Sequence, residues 1–389
     1  MVNHSSFKIS QMILKSIVKI VLVSYFLAAG LYGFSVSVIG AETGMARCNA
    51  PGPVCSASAS VFRISSFDPI GSAVMIGPEV LITNRHVIAD HTKAMVYLTN
   101  GRIVQASVVP TSYSGDLVLL KVKGLGSLKA LETSTPHQNS KLFSIGTEIH
   151  TKQVRVYSSG RVILLPAEGK PLARLHHSAN SRPGNSGGAL VDISGRLVGI
   201  VTSGGDGFYE AIPATEFQSL RLLSGPQYEE ESRVIGMAYR RCTNALEMNR
   251  LGPKSNQISS ETNLFEDCAK SRNRQLFDLA GQTLGRAGQV DDAIAMFERA
   301  LTQDPHAINS RIGLIVTLHL ARRYGKAVPH LKELIKLFPT NLRILQLSIQ
   351  AGKLGGNLNL ARGALELLEQ HYPRLAPNFK RFLEDLPRQ

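Results

Sequence analysis

Ser186 lies in Ser181-Arg182-Pro183-Gly184-Asn185-Ser186-Gly187-Gly188-Ala189-Leu190, where a glycine-rich backbone permits a turn sharp enough to present a single hydroxyl. Such a hydroxyl is a weak nucleophile at its own pKa. It needs a base within hydrogen-bond reach and a third group that orients the base. The chain offers both upstream. His86 ends the strand-like run Val80-Leu81-Ile82-Thr83-Asn84-Arg85, and Asp116 opens the apolar run Leu117-Val118-Leu119-Leu120. An imidazole at that position would take the Ser186 proton and return it to a leaving amine, while the carboxylate holds its tautomer and stabilises the imidazolium. Taken singly, a histidine after a strand is usually structural and an aspartate before one is often a turn former; the combination carries the chemistry. His176 and His177 adjoin the serine segment but suit pocket lining or surface better than the role of base.

The order His86, Asp116, Ser186 separates two architectures that share a Gly-x-Ser-x-Gly pattern. Chymotrypsin-like barrels run His, Asp, Ser, whereas α/β-hydrolases run Ser, acid, His and follow the serine with a helix. Here Ala189 to Val201 reads as strand, tight turn, strand, which disfavours an esterase of the second type. From Val61 to about Leu222 short apolar runs alternate with Gly, Pro, Asn and Asp. The clearest strands are Val74–Ile76, Val80–Thr83, Ala94–Leu98, Leu117–Val122, Leu142–Ile145 and Leu197–Val201, with no long helix among them.

Three ordered motifs carry a resemblance: Gly71-Ser72-Ala73 running to Thr83-Asn84-Arg85-His86-Val87-Ile88, then Gly115-Asp116-Leu117-Val118-Leu119-Leu120, then Pro183-Gly184-Asn185-Ser186-Gly187-Gly188-Ala189-Leu190. With Ala211-Ile212-Pro213 beyond them, the segment from about Gly71 to Leu222 resembles the trypsin-like protease domain of the bacterial HtrA/Deg group. The resemblance covers somewhat under half of the chain. It implies an oxyanion hole formed by the Gly184 and Ser186 N–H groups with Asn185 between them. It also implies a substrate channel at Thr202, Ser203 and Gly204, whose backbone would pair with an extended peptide, and a specificity pocket with Asn180 near its base. An acidic residue there would suit Lys or Arg; its absence points to small or aliphatic residues. Asn185 replaces the aspartate through which secreted trypsins activate, so no zymogen step of that kind is expected. The PDZ module usual in the group is not detectable downstream.

The second half is periodic. Ala293, Ala327 and Ala361 are spaced 34 residues apart, as are Phe297, Leu331 and Leu365, and Pro305, Pro339 and Pro373, with Ala300, Leu334 and Leu368 between. That period resembles three tetratricopeptide repeats, each a helix-turn-helix ended by proline. First helices near Leu276–Ala287, Ser310–Arg323 and Leu342–Leu354 would line a concave face suited to protein contact. Between the halves, Tyr228–Arg250 and Ser260–Arg272 read as helices that cap the stack.

The bulk composition agrees. Lys8, Lys15 and Lys19 precede an uncharged stretch from Ile20 to Ala41, the order of an export signal, and residues 20–41 are also long enough to serve as an uncleaved membrane anchor. Four cysteines suit an oxidising compartment, with Cys48 pairing Cys55 and Cys242 pairing Cys268 as the expected connectivity and free thiols as the alternative. The formal charge of +14 is spread over both halves rather than gathered into a basic stripe, which argues against nucleic-acid binding. No Cys-His cluster has metal-site spacing, and no metal or cofactor is expected.

The sequence therefore predicts a multidomain chain: 1–41 signal peptide or anchor, 42–60 a short Cys-containing segment, 61–222 an all-β trypsin-like double β-barrel, 223–272 linker and capping helices, and 273–389 an all-α tetratricopeptide-type repeat domain. The expected function is that of an exported, periplasmic or secreted serine endopeptidase acting on polypeptides, with the repeats contacting a protein partner. The alternative is a catalytically silent protease-fold scaffold.

Overall fold

Gly71–Gly77 shows no alternation of polar and apolar residues because both faces of the strand it forms are buried. One face, with Ala73 and Met75, fills the interior of a barrel. The other, with Val74 and Ile76, enters a second cluster with Phe143, Ile145, Ala189 and Val191 from later strands. That cluster is the seam between two barrels. The computed structural model describes residues 48–125, 128–205, 207–251 and 264–384, and at Ser203 and residues 249–251 the backbone alone. The expected signal or anchor at 1–41 lies outside the described residues; among those described, no helix is long and apolar enough to cross a membrane.

The chain enters through α1 (Gly52–Ala57), pinned by the disulfide Cys48–Cys55. The first barrel closes in the order β1-β2-β3-β6-β5-β4, where the strands are β1 (Val61–Ser65), β2 (Gly71–Gly77), β3 (Val80–Thr83), β4 (Lys93–Tyr97), β5 (Ile103–Val109) and β6 (Val118–Val122). One helical turn, α2 (Arg85–Ile88), interrupts it after β3. The second sheet comprises β7 (Lys141–Thr147), β8 (Val154–Val156), β9 (Gly160–Leu164), β10 (Leu175–His177), β11 (Ala189–Asp192), β12 (Leu197–Gly205) and β13 (Phe208–Pro213). Its order is β11-β12-β13-β10-β9-β7-β8, and an added β11–β7 pairing closes it on itself. Closure leaves few strand edges exposed. A short helix, α3 (Phe217–Leu222), returns the chain to the seam, where Phe217 and Leu220 are buried.

The helical region begins with α4 (Glu229–Leu251) and α5 (Leu264–Ser271), joined by the disulfide Cys242–Cys268. Three antiparallel pairs follow: α6 (Arg274–Arg286) with α7 (Val290–Gln303), α8 (Ile308–Leu320) with α9 (Tyr324–Leu337), and α10 (Leu342–Leu354) with α11 (Leu358–His371). The chain then runs into α12 (Ala376–Glu384). The period is visible in local chemistry. Asn273 and Asn341 each cap a first helix by accepting the N–H three residues on, and Pro305, Pro339 and Pro373 each stand two residues beyond a second helix. Small residues set the spacing: a Cβ on Gly281 would lie 2.8 Å, and on Gly313 2.4 Å, from the buried ring of Phe297, which fills the space between successive first helices.

Both regions share an extensive interface. A methyl on Gly236 of α4 would come within 2.4 Å of the Ala89 carbonyl just after α2. Arg240 pairs with Asp90 at 2.6 Å, and the Arg85 guanidinium is buried against the hydroxyl and carbonyl of Ser232. A second contact is a buried polar cluster. Arg274 meets Glu210 of β13 and Asp278, Arg174 reaches Glu210 at 3.3 Å, and His176 Nε2 lies 2.9 Å from Asp304. Neither histidine of β10 is at the surface: His176 belongs to this interface, and His177 is fully buried on the opposite face of the strand. Of the two placements expected for that pair, pocket lining or surface, the surface one fails because β10 is central in its sheet, between β9 and β13.

Phe297→Ala should lower unfolding free energy by about 3–5 kcal/mol, the usual result of emptying an aromatic site, measured by urea denaturation followed at the helical circular-dichroism signal. A change under about 1 kcal/mol would mean that the stack does not depend on this ring.

Candidate active site

His86 owes its position to a change of direction. β3 ends at Thr83, Asn84 stays extended, and α2 starts with His86 as its second residue. The His86 N–H donates to Asp116 Oδ1 at 2.9 Å and its Nδ1 meets Asp116 Oδ2 at 2.7 Å. Asp116 stands two residues before β6, the strand paired with β3, so the ladder that pairs Thr83 with Val118 brings the two residues together. The Asp116 carbonyl is held in turn by Asn84 Nδ2 at 2.9 Å and by the Arg85 N–H.

Ser186 comes from the other barrel, on the turn before β11. Arg182 to Asn185 forms a tight turn, closed by the Asn185 N–H on the Arg182 carbonyl at 3.0 Å, with Pro183 and Gly184 at its centre and Gly184 at φ +97°. Gly187, at φ +83°, has no room for a side chain, since a Cβ would lie 2.1 Å from the Ser72 carbonyl. Ser72 organises this crossing. Its N–H donates to the Ser186 carbonyl and its hydroxyl to the Gly184 carbonyl, both at 2.8 Å, while the hydroxyl accepts the Thr147 N–H. Asn185 is buried and donates to Ser144 Oγ. Among the described residues, the N–H groups of Gly184 and Ser186 have no acceptor and remain available as a pair of donors.

Thr202 joins the halves of the site. Its hydroxyl donates to Asp116 Oδ2 at 3.0 Å and its carbonyl accepts the Ser186 hydroxyl at 3.4 Å. Ser186 and Asp116 are thus brought to the same threonine, but the resting Ser186 hydroxyl points to that carbonyl rather than to the imidazole. Thr202, Ser203 and Gly204 run along β12 beside Ser186. Asn180 accepts a hydrogen bond from the Tyr209 hydroxyl at 3.1 Å, and the Tyr209 ring is stacked with His177 at 6.1 Å. The side-chain bond of Thr202 to Asp116, the anchoring role of Ser72 and the Tyr209 lid over Asn180 were not anticipated from the sequence. Ser72 stood within a motif already singled out, while the others depend on contacts over more than 25 residues.

The electrostatics follow from burial and pairing. Burial alone would depress the His86 pKa, but the Asp116 charge and hydrogen bond outweigh it and raise it above the ordinary histidine value. Burial alone would raise Asp116; the His86 partner overcomes that and holds the carboxyl below the usual carboxylate range. His177, by contrast, is pushed down to about 3 by burial and by the neighbouring His176, so it stays neutral. Because Asp116 engages Nδ1, the nitrogen left basic is Nε2. Among the described residues no group of three or more His, Cys, Asp or Glu side chains could hold a metal ion.

Residues 71–200, about a third of the chain, match the family model described as a trypsin-like peptidase domain. Among curated proteins, the serine endoprotease DegS of Salmonella typhimurium is 33% identical over 141 residues, covering 34% of this chain and 39% of its own length. The probable periplasmic serine endoprotease DegP-like protein of Buchnera aphidicola is 28% identical over 195 residues, covering 44% of this chain and 39% of its own. Among solved structures, the HtrA-type protease AlgW with tripeptide aligns at 28% identity and a TM-score of 0.40, covering 44% of this chain and 61% of that one. The chain spans about two fifths of the length of the curated relatives it matches, and the helical region lies outside the family match.

His86 should titrate above the ordinary histidine value in the intact protein. In Asp116→Asn, where burial acts without the compensating charge, its pKa should fall below that value, as read from the imidazole resonances in a pH series. A wild-type His86 titrating below the ordinary value would show that the pair is not coupled as its 2.7 Å contact implies.

Proposed function

We propose that the chain is an extracytoplasmic serine endopeptidase that cleaves polypeptides through an acyl-enzyme intermediate, with His86, Asp116 and Ser186 as its triad. The carrying observation is the bonding around Asp116: it takes the backbone N–H and Nδ1 of His86 and the hydroxyl of Thr202, which leaves Nε2 as the ring nitrogen free to act as base, while Ser186 bonds to the carbonyl of the same Thr202. The serine-endoprotease relatives over the same segment support the reading.

On substrate binding, rotation of the Ser186 side chain away from the Thr202 carbonyl would bring Oγ to Nε2. Catalytic hydrogen bonds are often long or misaligned without substrate. Oγ then attacks the scissile carbonyl as its proton passes to Nε2. The oxyanion is received by the unengaged N–H groups of Gly184 and Ser186, a contribution of roughly 3–4 kcal/mol for each such donor in comparable sites. Transfer of the proton from Nε2 expels the amine, and water then repeats the sequence to release the acid. Peptide backbone would pair with Thr202, Ser203 and Gly204. A neutral Asn180, tied to the Tyr209 hydroxyl, offers no counter-charge to Lys or Arg and favours small or aliphatic residues before the cut.

The three helix pairs are tetratricopeptide-like in this reading and serve protein contacts. The two disulfides and the resemblance to a relative described as periplasmic support export, with residues 20–41 as signal or anchor. A second reading, a silent protease-fold scaffold, draws on the resting Ser186 hydroxyl, which bonds to Thr202 rather than His86.

A fluorophosphonate probe separates the two. The wild type should label, Ser186→Ala should not, and Asp116→Asn should cleave a peptide roughly 10⁴-fold more slowly than wild type. A wild-type protein that neither labels nor cuts any member of a diverse peptide library favours the scaffold.

A further inference from the structure

The β12 segment proposed above to pair with substrate ends at Gly205, opposite Phe208. The β11 side of β12 is paired as far as Val201, whose N–H donates to the Gly188 carbonyl and whose carbonyl accepts the Gly187 N–H, whereas its β13 side continues through Ser203, Gly204 and Gly205, opposite Glu210, Tyr209 and Phe208. An edge of β12 is therefore open from Thr202 to Gly205, beginning at the carbonyl that holds the Ser186 hydroxyl. Every pairing between the named strands of this sheet is antiparallel, the isolated Thr133–Leu197 bridge alone among those described being parallel. A peptide added in the same sense has its scissile carbonyl at Ser186 and its earlier residues at the tip of the β12–β13 hairpin.

At that tip the helical region takes over. The Phe208 ring packs against Phe338 at 4.8 Å, and its carbonyl accepts Asn309 Nδ2 at 2.9 Å. Phe208 is one wall of a groove of about 130 Å³ whose other walls include Ile312 and Ile315 of α8 and Ile344 and Leu347 of α10. Arg343 is the only charged side chain among its described lining residues. The groove is fixed relative to Ser186. Three consecutive residues of β13 make three different attachments: Phe208 to the groove, Tyr209 to Asn180, and Glu210 to the buried Arg274.

We propose that this groove is a distal substrate subsite that receives an apolar side chain of the polypeptide, about four to six residues before the scissile bond, counting one peptide residue against each of Thr202 to Gly205 before Phe208 is reached. The inference rests on the hydrolase reading. Continuity with the open β12 edge selects substrate as the occupant, and the apolar lining selects its chemistry. Cleavage is then favoured at sites preceded by a hydrophobic segment, a feature of unfolded rather than native polypeptide.

The test uses the full chain and three fluorogenic peptides that share one cleavable core: the core alone, the core extended with leucines at positions four to six before the cut, and the core extended there with aspartates. The leucine peptide should exceed the aspartate peptide by on the order of ten-fold in kcat/KM, chiefly through KM. Ile312→Gln and Leu347→Gln, with circular-dichroism melts to verify folding, should bring that ratio toward one. Equal kcat/KM for the two extended peptides on the wild type overturns the subsite without recourse to any variant. A preference for leucine that both folded variants retain in full also overturns it. If no peptide is cut and no fluorophosphonate label is taken up, the hydrolase reading falls and the subsite with it.

Discussion

A carboxylate buried at the junction of two barrels persists only if its oxygens are satisfied, and the site is built around meeting that demand at Asp116. Its Oδ1 takes the His86 N–H, its Oδ2 takes His86 Nδ1 and the Thr202 hydroxyl, and its own carbonyl takes Asn84 and the Arg85 N–H. These donors come from both barrels. The same bonds that stabilise the buried charge also fix the imidazole tautomer, its ring orientation and the distance between β3 and β12. Structural satisfaction and chemical positioning are one set of contacts here.

The seam meets the same demand at the backbone. Ser72 on β2 bonds to Ser186, Gly184 and Thr147, so the serine turn of the second barrel is anchored on the first. Bringing backbones that close requires residues without side chains. Gly187 faces the Ser72 carbonyl across the seam, while a Cβ on Gly146 would stand 2.9 Å from the Asn185 Cα within the second barrel. The glycines around the serine therefore permit the barrel–barrel approach as well as the turn itself.

How legible all this was depended on distance along the chain. The serine turn and the two upstream motifs are local, each written in a few consecutive residues, and the turn signals between apolar runs mark an all-β domain, while its strand order rests on pairings between distant residues. The 34-residue period was readable because each helix pair repeats the same packing problem, with Phe297 and its equivalents meeting small residues on the neighbouring helix. Several strands escaped notice for a physical reason. β8 and β10 have three residues each, too few to show a period, and β5 is half exposed along most of its length. The Thr202 hydroxyl could not be seen as a partner of Asp116, 86 residues away, because nothing in either local pattern encodes the pairing. The same holds for the cluster formed by Arg174, His176, Glu210, Arg274 and Asp304.

That cluster explains how an enzyme-like β-domain and a helical stack come to share one geometry. Replacing buried ions by apolar residues of similar volume is often neutral or stabilising, so energy alone does not account for such a group. Apolar surfaces, however, tolerate sliding, whereas a guanidinium seated against Glu210 and Asp278 has essentially one acceptable arrangement. Glu210 stands one residue from Tyr209 and two from Phe208, so the arrangement that satisfies Arg274 also sets the Tyr209 lid and the Phe208 wall of the groove. At the other end, the Arg85 contact with Ser232 ties α4 to the residue beside His86. The helical region is therefore registered to the site at two points, at Arg85 beside His86 and at Glu210 on β13, the strand paired with the β12 segment that carries Thr202. A helical region held in that register can act on what approaches Ser186, which a domain on a free linker could do only through local concentration.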